Sequence, residues 1–249
     1  MLLLHGVRAS RLSMVARARF LHRAGYTVLL VDFQASGESP GDAITFGYRE
    51  ALDATASVRE LRHLAPGESI GIIGTSMGGA ATLLAGASIH VDAMVLEQVY
   101  PSIDQALRDR LEWHAGIAGR WLTWPLLETL QPHLGLSPAL LRPIDHLGEL
   151  TTPKLLIAGA CDHHTRLEES LAMYRRAAAP TSLWIVPRAT HVDLHRFAGA
   201  EYEKRVLDFL GRWLRSEATA QGASKEANAV KVLARDEPDA AAEAGYDCE

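Results

Sequence analysis

The chain has 249 residues, 48% of them apolar, with a net charge of −5 and a pI near 6.1. That length suits one sizeable domain with an insertion, or two small ones, and the apolar share is enough for a substantial core. The acidic balance argues against nucleic acid as the main partner, no apolar run reaches the length of a membrane span, and the only two cysteines, Cys161 and Cys248, argue for a reducing, cytoplasmic setting without a structural disulfide.

In chain order, Leu2–His5 reads as a short apolar strand, Gly6–Ser13 as a loop and Met14–Ala24 as a helix carrying Val15, Phe20 and Leu21. Tyr26–Phe33 is a continuous β-type run of the kind buried on both faces of a parallel sheet. A loop at 34–42 holds Gly37, Pro40 and Gly41, and Tyr48–His63 has helical spacing. Ser69–Ile73 is a strand that runs into a small-residue helix ending near Ala87, and Val91–Val99 is the next strand. The pattern then changes. Residues 101–150 contain amphipathic helical stretches, three tryptophans and five prolines, and no good strand, as expected of a helical lid insertion. Strands return at Lys154–Ile157 and Ser182–Val186, each followed by a loop, and a helix over Glu201–Leu214 closes the domain. Eight acidic and three basic residues from Ser216 onward carry the whole net charge, and this tail, 216–249, reads as disordered.

Strands alternating with helices predict an α/β fold, a mostly parallel open sheet with helices on both faces. Its core is expected over 1–100 and 151–215. Ligands of such sheets bind beyond the carboxyl ends of the strands, and His5-Gly6, Ser76, Asp162 and His191 all fall in loops after strands.

Ser76 lies in Gly74-Thr75-Ser76-Met77-Gly78, a G-x-S-x-G sequence at a strand-to-helix junction. Lifting a hydroxyl clear of a sheet requires a sharp, strained reversal, with glycine where larger side chains would collide, as at Gly74 and Gly78. A serine needs a general base held by a carboxylate, in the chain order Ser, acid, His. Asp162 follows one strand and His191 the next. The rival acids are Glu97 and Asp193, and His163 and His164 are candidates to line a pocket. Two backbone N–H groups, those of Val7 and Met77, are the expected oxyanion donors. No cofactor or metal is required. A zinc site would want glutamate at Val192, and the glycines at 71–79 match no phosphate-binding loop.

With these residues in place, the chain resembles the α/β-hydrolase superfamily, most closely its monoacylglycerol-lipase-like and serine-aminopeptidase-like branch. Leu3-Leu4-His5-Gly6, residues 21–39, Gly74–Gly79, Gly159-x-x-Asp162-x-x-Thr165 and His191 carry the resemblance. It implies Ser76 as nucleophile, Asp162 as acid and His191 as base, and does not identify the substrate. The expected activity is cleavage of an ester, thioester or amide of a small-molecule acyl substrate through an acyl-enzyme, carboxylesterase-like first. A catalytically inactive binding protein of the same fold is the alternative. Two departures stand out. Ala35 replaces a glycine usual in the turn after Asp32, and Met1 opens within a strand that two others precede in relatives. A sheet lacking its first two strands, with the Tyr26–Phe33 run at its edge, is therefore expected.

Overall fold

Alternate residues of six short strands face opposite ways, and this period of two sets the architecture. In the computed structural model, which describes residues 1–215 and 248, these strands are β1 Leu2–Leu4, β2 Leu29–Leu30, β3 Gly71–Thr75, β4 Ala93–Glu97, β5 Lys154–Gly159 and β6 Thr181–Val186. They form one parallel sheet in the order β2-β1-β3-β4-β5-β6. Leu2, Leu4, Ile72, Met94, Leu96 and Leu156 point to one face. Their neighbours Leu3, Ile73, Ala93, Val95, Leu155 and Ile157 point to the other.

Helices cover both faces. On the first face α2 (Glu50–Leu64) contributes Ala54, Val58 and Leu61, α3 (Met77–Leu84) contributes Met77, Ala80, Ala81 and Leu83, and α8 (Leu167–Arg176) contributes Met173. On the second, α1 (Val15–Arg23) buries Phe20 and Leu21, and α9 (Leu194–Leu214) buries Tyr202, Val206 and Leu210. Burial on both sides explains why β3, β4 and β5 read as unbroken apolar runs. Between β4 and β5 the chain makes a helical excursion through α4 (Ile103–Ala115), α5 (Ile117–Glu128), α6 (Leu130–Leu134) and α7 (Pro143–His146). Among the described residues no helix is long and apolar enough to cross a membrane.

Four features differ from the sequence reading. The Tyr26–Phe33 run does lie at the edge of the sheet, but only Leu29 and Leu30 pair, because β1 offers three residues and β2 has a partner on one side only. Helix α8 lies beyond the expected loop, in a stretch to which the sequence reading assigned no element. Its first turn carries Glu168 and Glu169 and its last turn Arg175 and Arg176, charges that suit the helix dipole. Helix α9 begins seven residues before Glu201, capped by Asp193, whose side chain accepts from the backbone N–H groups of His195 and Arg196, and it kinks at Gly199. Finally, Cys161 and Cys248 form a disulfide, with Cα atoms 5.5 Å apart, which corrects the expectation of unpaired thiols. Their 87-residue separation gave no hint of it, since sequence distance does not limit proximity in a folded chain. Apart from Cys248, the tail at 216–249 lies outside the described residues.

Candidate active site

Strand β3 ends at Thr75 and α3 starts at Met77, so the whole reversal falls on Ser76. Its backbone has φ 50° and ψ −112°, in a region that L-residues rarely occupy. A backbone hydrogen bond of 2.8 Å from Ser76 N–H to Glu97 O ties the turn to β4. The flanking glycines are sterically required. A Cβ on Gly74 would lie 2.7 Å from the backbone nitrogen of Gly79, and one on Gly78 would lie 2.4 Å from Leu4 O. Both obstacles are main chain and cannot step aside, so glycine at these two positions lets α3 pass this close to β1 and β3.

The loop after β5 carries Asp162, whose carboxylate has four donors. Oδ1 accepts from the backbone N–H groups of His164 (2.8 Å) and Thr165 (3.0 Å). Oδ2 accepts from Gln98 Nε2 at 2.9 Å and lies 2.8 Å from His191 Nδ1. With a carboxylate as its partner, Nδ1 carries the proton, which leaves the Nε2 lone pair available as a base. The Gln98 amide also donates to Thr190 O at 2.7 Å, so one side chain braces the acid and the histidine loop together. Gln98 holds φ 48°, an uncommon conformation for a residue with a Cβ. The sequence reading passed over it. Its one signal was its place, directly after β4 on the rim that carries the other candidates.

Ser76, Met77, Val7 and His191 line one cavity of about 330 Å³, walled by Ile103, Leu107, Leu126, Leu127 and Leu130 of the helical excursion. No hydrogen bond joins Ser76 Oγ to His191 Nε2, an arrangement that unliganded catalytic sites often show. Met77 opens α3, so its N–H has no acceptor within the helix. The loop bearing Val7 is set by His5, which is buried with Nδ1 2.8 Å from Gly6 O while Nε2 accepts from Phe33 N–H at 3.2 Å.

The rival acids have other work. Glu97 is buried on the opposite side of the elbow, where it takes two hydrogen bonds from Arg17, at 3.1 and 2.7 Å, and one from Tyr202 Oη. Arg17 in turn pairs with Asp193 at 2.8 Å. His163 stacks on Trp113 with ring centroids 4.2 Å apart, and His195 meets Glu203, so of the neighbouring histidines only His164 joins His191 at the cavity. The tryptophans of the excursion do not line it. Trp121 and Trp124 are exposed and border a separate surface depression.

The comparisons with known proteins agree with this fold. Against the Pyrococcus furiosus esterase Pf2001 the chain superposes with a TM-score of 0.70 at 27% identity, covering 86% of this chain and 82% of the other. A monoacylglycerol lipase from Paleococcus ferrophilus gives a TM-score of 0.61 at 19% identity, covering 84% and 92% of the two chains, a likeness of fold alone. The Bacillus subtilis (strain 168) uncharacterized protein YqkD is 26% identical over 214 residues, 83% of this chain and 69% of its own. Residues 1–205 match the sequence profile of the alpha/beta hydrolase family, and the chain belongs to that family.

Proposed function

We propose that the protein is a serine hydrolase of carboxylesterase type, acting on a small acyl substrate. The observation that carries the reading is the convergence on one cavity of a serine in a strained turn and a histidine whose far nitrogen is held by a carboxylate. The 27% identity to an esterase adds support. In the reaction, Ser76 Oγ attacks the carbonyl carbon while His191 Nε2 takes the hydroxyl proton. The tetrahedral oxyanion is held by the N–H groups of Val7 and Met77. As the carbonyl–oxygen bond to the leaving group breaks, His191 returns the proton to the departing alcohol. Water then adds to the acyl-enzyme, giving a proton to His191, which passes it to Ser76 Oγ as the acyl–oxygen bond breaks, releasing the acid and restoring the serine. Asp162 keeps the imidazole in its working tautomer throughout. Residues 101–150 act as a lid whose leucines bound the acyl-binding side.

A fluorophosphonate probe tests the proposal directly. Labelling at Ser76 that is lost in Ser76→Ala is expected, together with a fall in ester turnover of about 10⁶-fold in Ser76→Ala and in His191→Ala. Near-wild-type hydrolysis by Ser76→Ala would remove the assignment. The missing Ser76–His191 hydrogen bond is the observation that favours an inactive binding protein of this fold, and a folded wild type that takes no label would establish that reading. A cytoplasmic location belongs to the same proposal. The Cys161–Cys248 bridge stands against it, because disulfides persist in oxidising surroundings. The redox state of the pair in cells decides between them.

A further inference from the structure

The charge lining the catalytic cavity is one-sided. Arg8 and Arg110 border it beside His164 and His191, and among the residues lining it there is no aspartate or glutamate. Arg110 extends from α4, whose Ile103, Ala106 and Leu107 form the apolar wall on the same helical face. Among the described residues its one side-chain partner is His164, with Nη2 3.1 Å from Nδ1. An arginine has no acceptor atom, so it is the donor, and His164 receives with an unprotonated nitrogen. Burial lowers the pKa of His164, and the Arg110 charge lowers it further, in keeping with a neutral ring. The guanidinium therefore keeps its full positive charge and most of its donors uncommitted beside an otherwise largely apolar pocket, in a chain whose net charge is −5. Arginines elsewhere on the same helical excursion are matched. Arg108 and Arg142 meet Asp104, and Arg120 meets Glu112.

We propose that the substrate is an anionic ester, with a carboxylate or phosphate on its alcohol portion bound by Arg110. This rests on the hydrolase reading above. The placement follows from the direction of the reaction. His191 protonates the leaving oxygen, so the alcohol departs on the His191 side. The His164 ring lies 5.3 Å from the His191 ring on that side, with Arg110 next to His164. The planar fork of a guanidinium suits a carboxylate or phosphate in bidentate geometry. The apolar wall of α4, α5 and α6 is left for the acyl chain. Arg8, exposed on the loop beside Val7, adds long-range attraction for the same charge.

Matched esters that differ only in charge test this. With 3-(butanoyloxy)benzoate against 3-(butanoyloxy)benzamide, the wild type is expected to favour the anion in kcat/KM by about 10- to 100-fold, the range for a charge-assisted contact in a partly buried site. Arg110→Gln should bring the ratio close to one, and Arg110→Lys should keep part of it. A ratio near one in the wild type, or one unchanged in a folded Arg110→Gln, overturns the proposal. A preference seen only for monophenyl succinate over its amide, where the anion lies on the acyl side, overturns it as well. A binding arm reads the site without turnover. Calorimetry on Ser76→Ala should detect 3-hydroxybenzoate and not 3-hydroxybenzamide, with the affinity lost when Arg110→Gln is added. Equal binding of the two overturns the proposal. Fluorophosphonate labelling without any charge preference would sink the anion site and leave the hydrolase. Arginine-dependent binding of the anion by a chain that takes no label would do the reverse.

Discussion

At the scale of single residues, the candidate site depends on groups that do not line its cavity. Gln98 gives one amide hydrogen to Asp162 and the other to Thr190 O. With a positive φ, its side chain crosses the rim from β4 to the two loops that carry Asp162 and His191. Replacement by leucine removes one of the four donors to Asp162 and frees the loop before His191. A hydrogen bond to a charged group is worth about 1.5–3 kcal/mol, so Gln98→Leu should lower kcat about 10- to 100-fold. KM should change little, because Gln98 is not among the residues lining the cavity. Steady-state kinetics on a variant with wild-type circular dichroism checks this, and an unchanged kcat would deprive Gln98 of any positioning role. Ser76, Asp162 and His191 were legible in the sequence because each chemistry has few suitable residue types and each loop follows a recognisable strand. Gln98 was not. A glutamine has no reactive signature, and its role follows from a backbone angle that no sequence pattern encodes. Ala35 is the opposite case. Its φ of 55° shows why a glycine is usual there, a turn effect the sequence comparison did indicate.

At the scale of elements, the strands and most helices could be read from apolar periodicity, since the two faces of the sheet select alternate residues. Helix α8 escaped although Leu167, Leu171 and Tyr174 recur at helical spacing, because the helix is short and charged residues fill both its ends. It is also the base on which the helical excursion rests. Arg166, at the start of α8, reaches Asp109 at 2.9 Å and also Glu112, both on α4. Asp109 is buried and faces Glu169 of α8. Two carboxylates this close cannot both ionise at low cost. Burial and the Asp109 charge together push the Glu169 carboxyl up to about 8, and burial also raises Asp109. A proton on Glu169 then supplies the donor that the otherwise unpartnered Asp109 Oδ2 needs.

The consequence for stability has a definite sign. Between the ordinary value of 4.5 and about 8 the folded chain holds a proton that the unfolded chain has released. Raising the pH through this window therefore favours unfolding, and the loss levels off above about 8. Glu169→Gln keeps a donor facing Asp109 at every pH and should remove this part of the slope. Urea midpoints of wild type and variant at pH 5, 6.5 and 8.5 provide the comparison. The gap between the two proteins should shift in favour of the variant as pH rises. Parallel curves would mean that Glu169 ionises like a surface carboxylate and that the α4–α8 contact is insensitive to pH.

At the scale of the whole molecule, the parallel topology puts every strand's carboxyl end on one rim, so residues far apart in sequence arrive at one cavity without special contacts to bring them there. The disulfide adds a constraint that the topology does not supply. It joins Cys161, next to Asp162, to Cys248, beyond the last described helix. The Asp162 loop does not need it to hold its shape, since Cys161 N–H already donates to Ala189 O at 2.9 Å and Asp162 takes its four bonds from other residues. The bridge should therefore act on stability far more than on turnover. Closing a loop of 87 residues restricts the unfolded chain by up to about 4–5 kcal/mol in the loop-entropy account. Cys248→Ser is accordingly expected to lower the melting temperature while leaving kcat close to wild type. The bridge itself is checked by mass. After denaturation without reductant, iodoacetamide should add nothing to the chain, and after reduction it should label both cysteines. Two labels without reductant would show the thiols free in solution, and the stability difference should then vanish with the bridge.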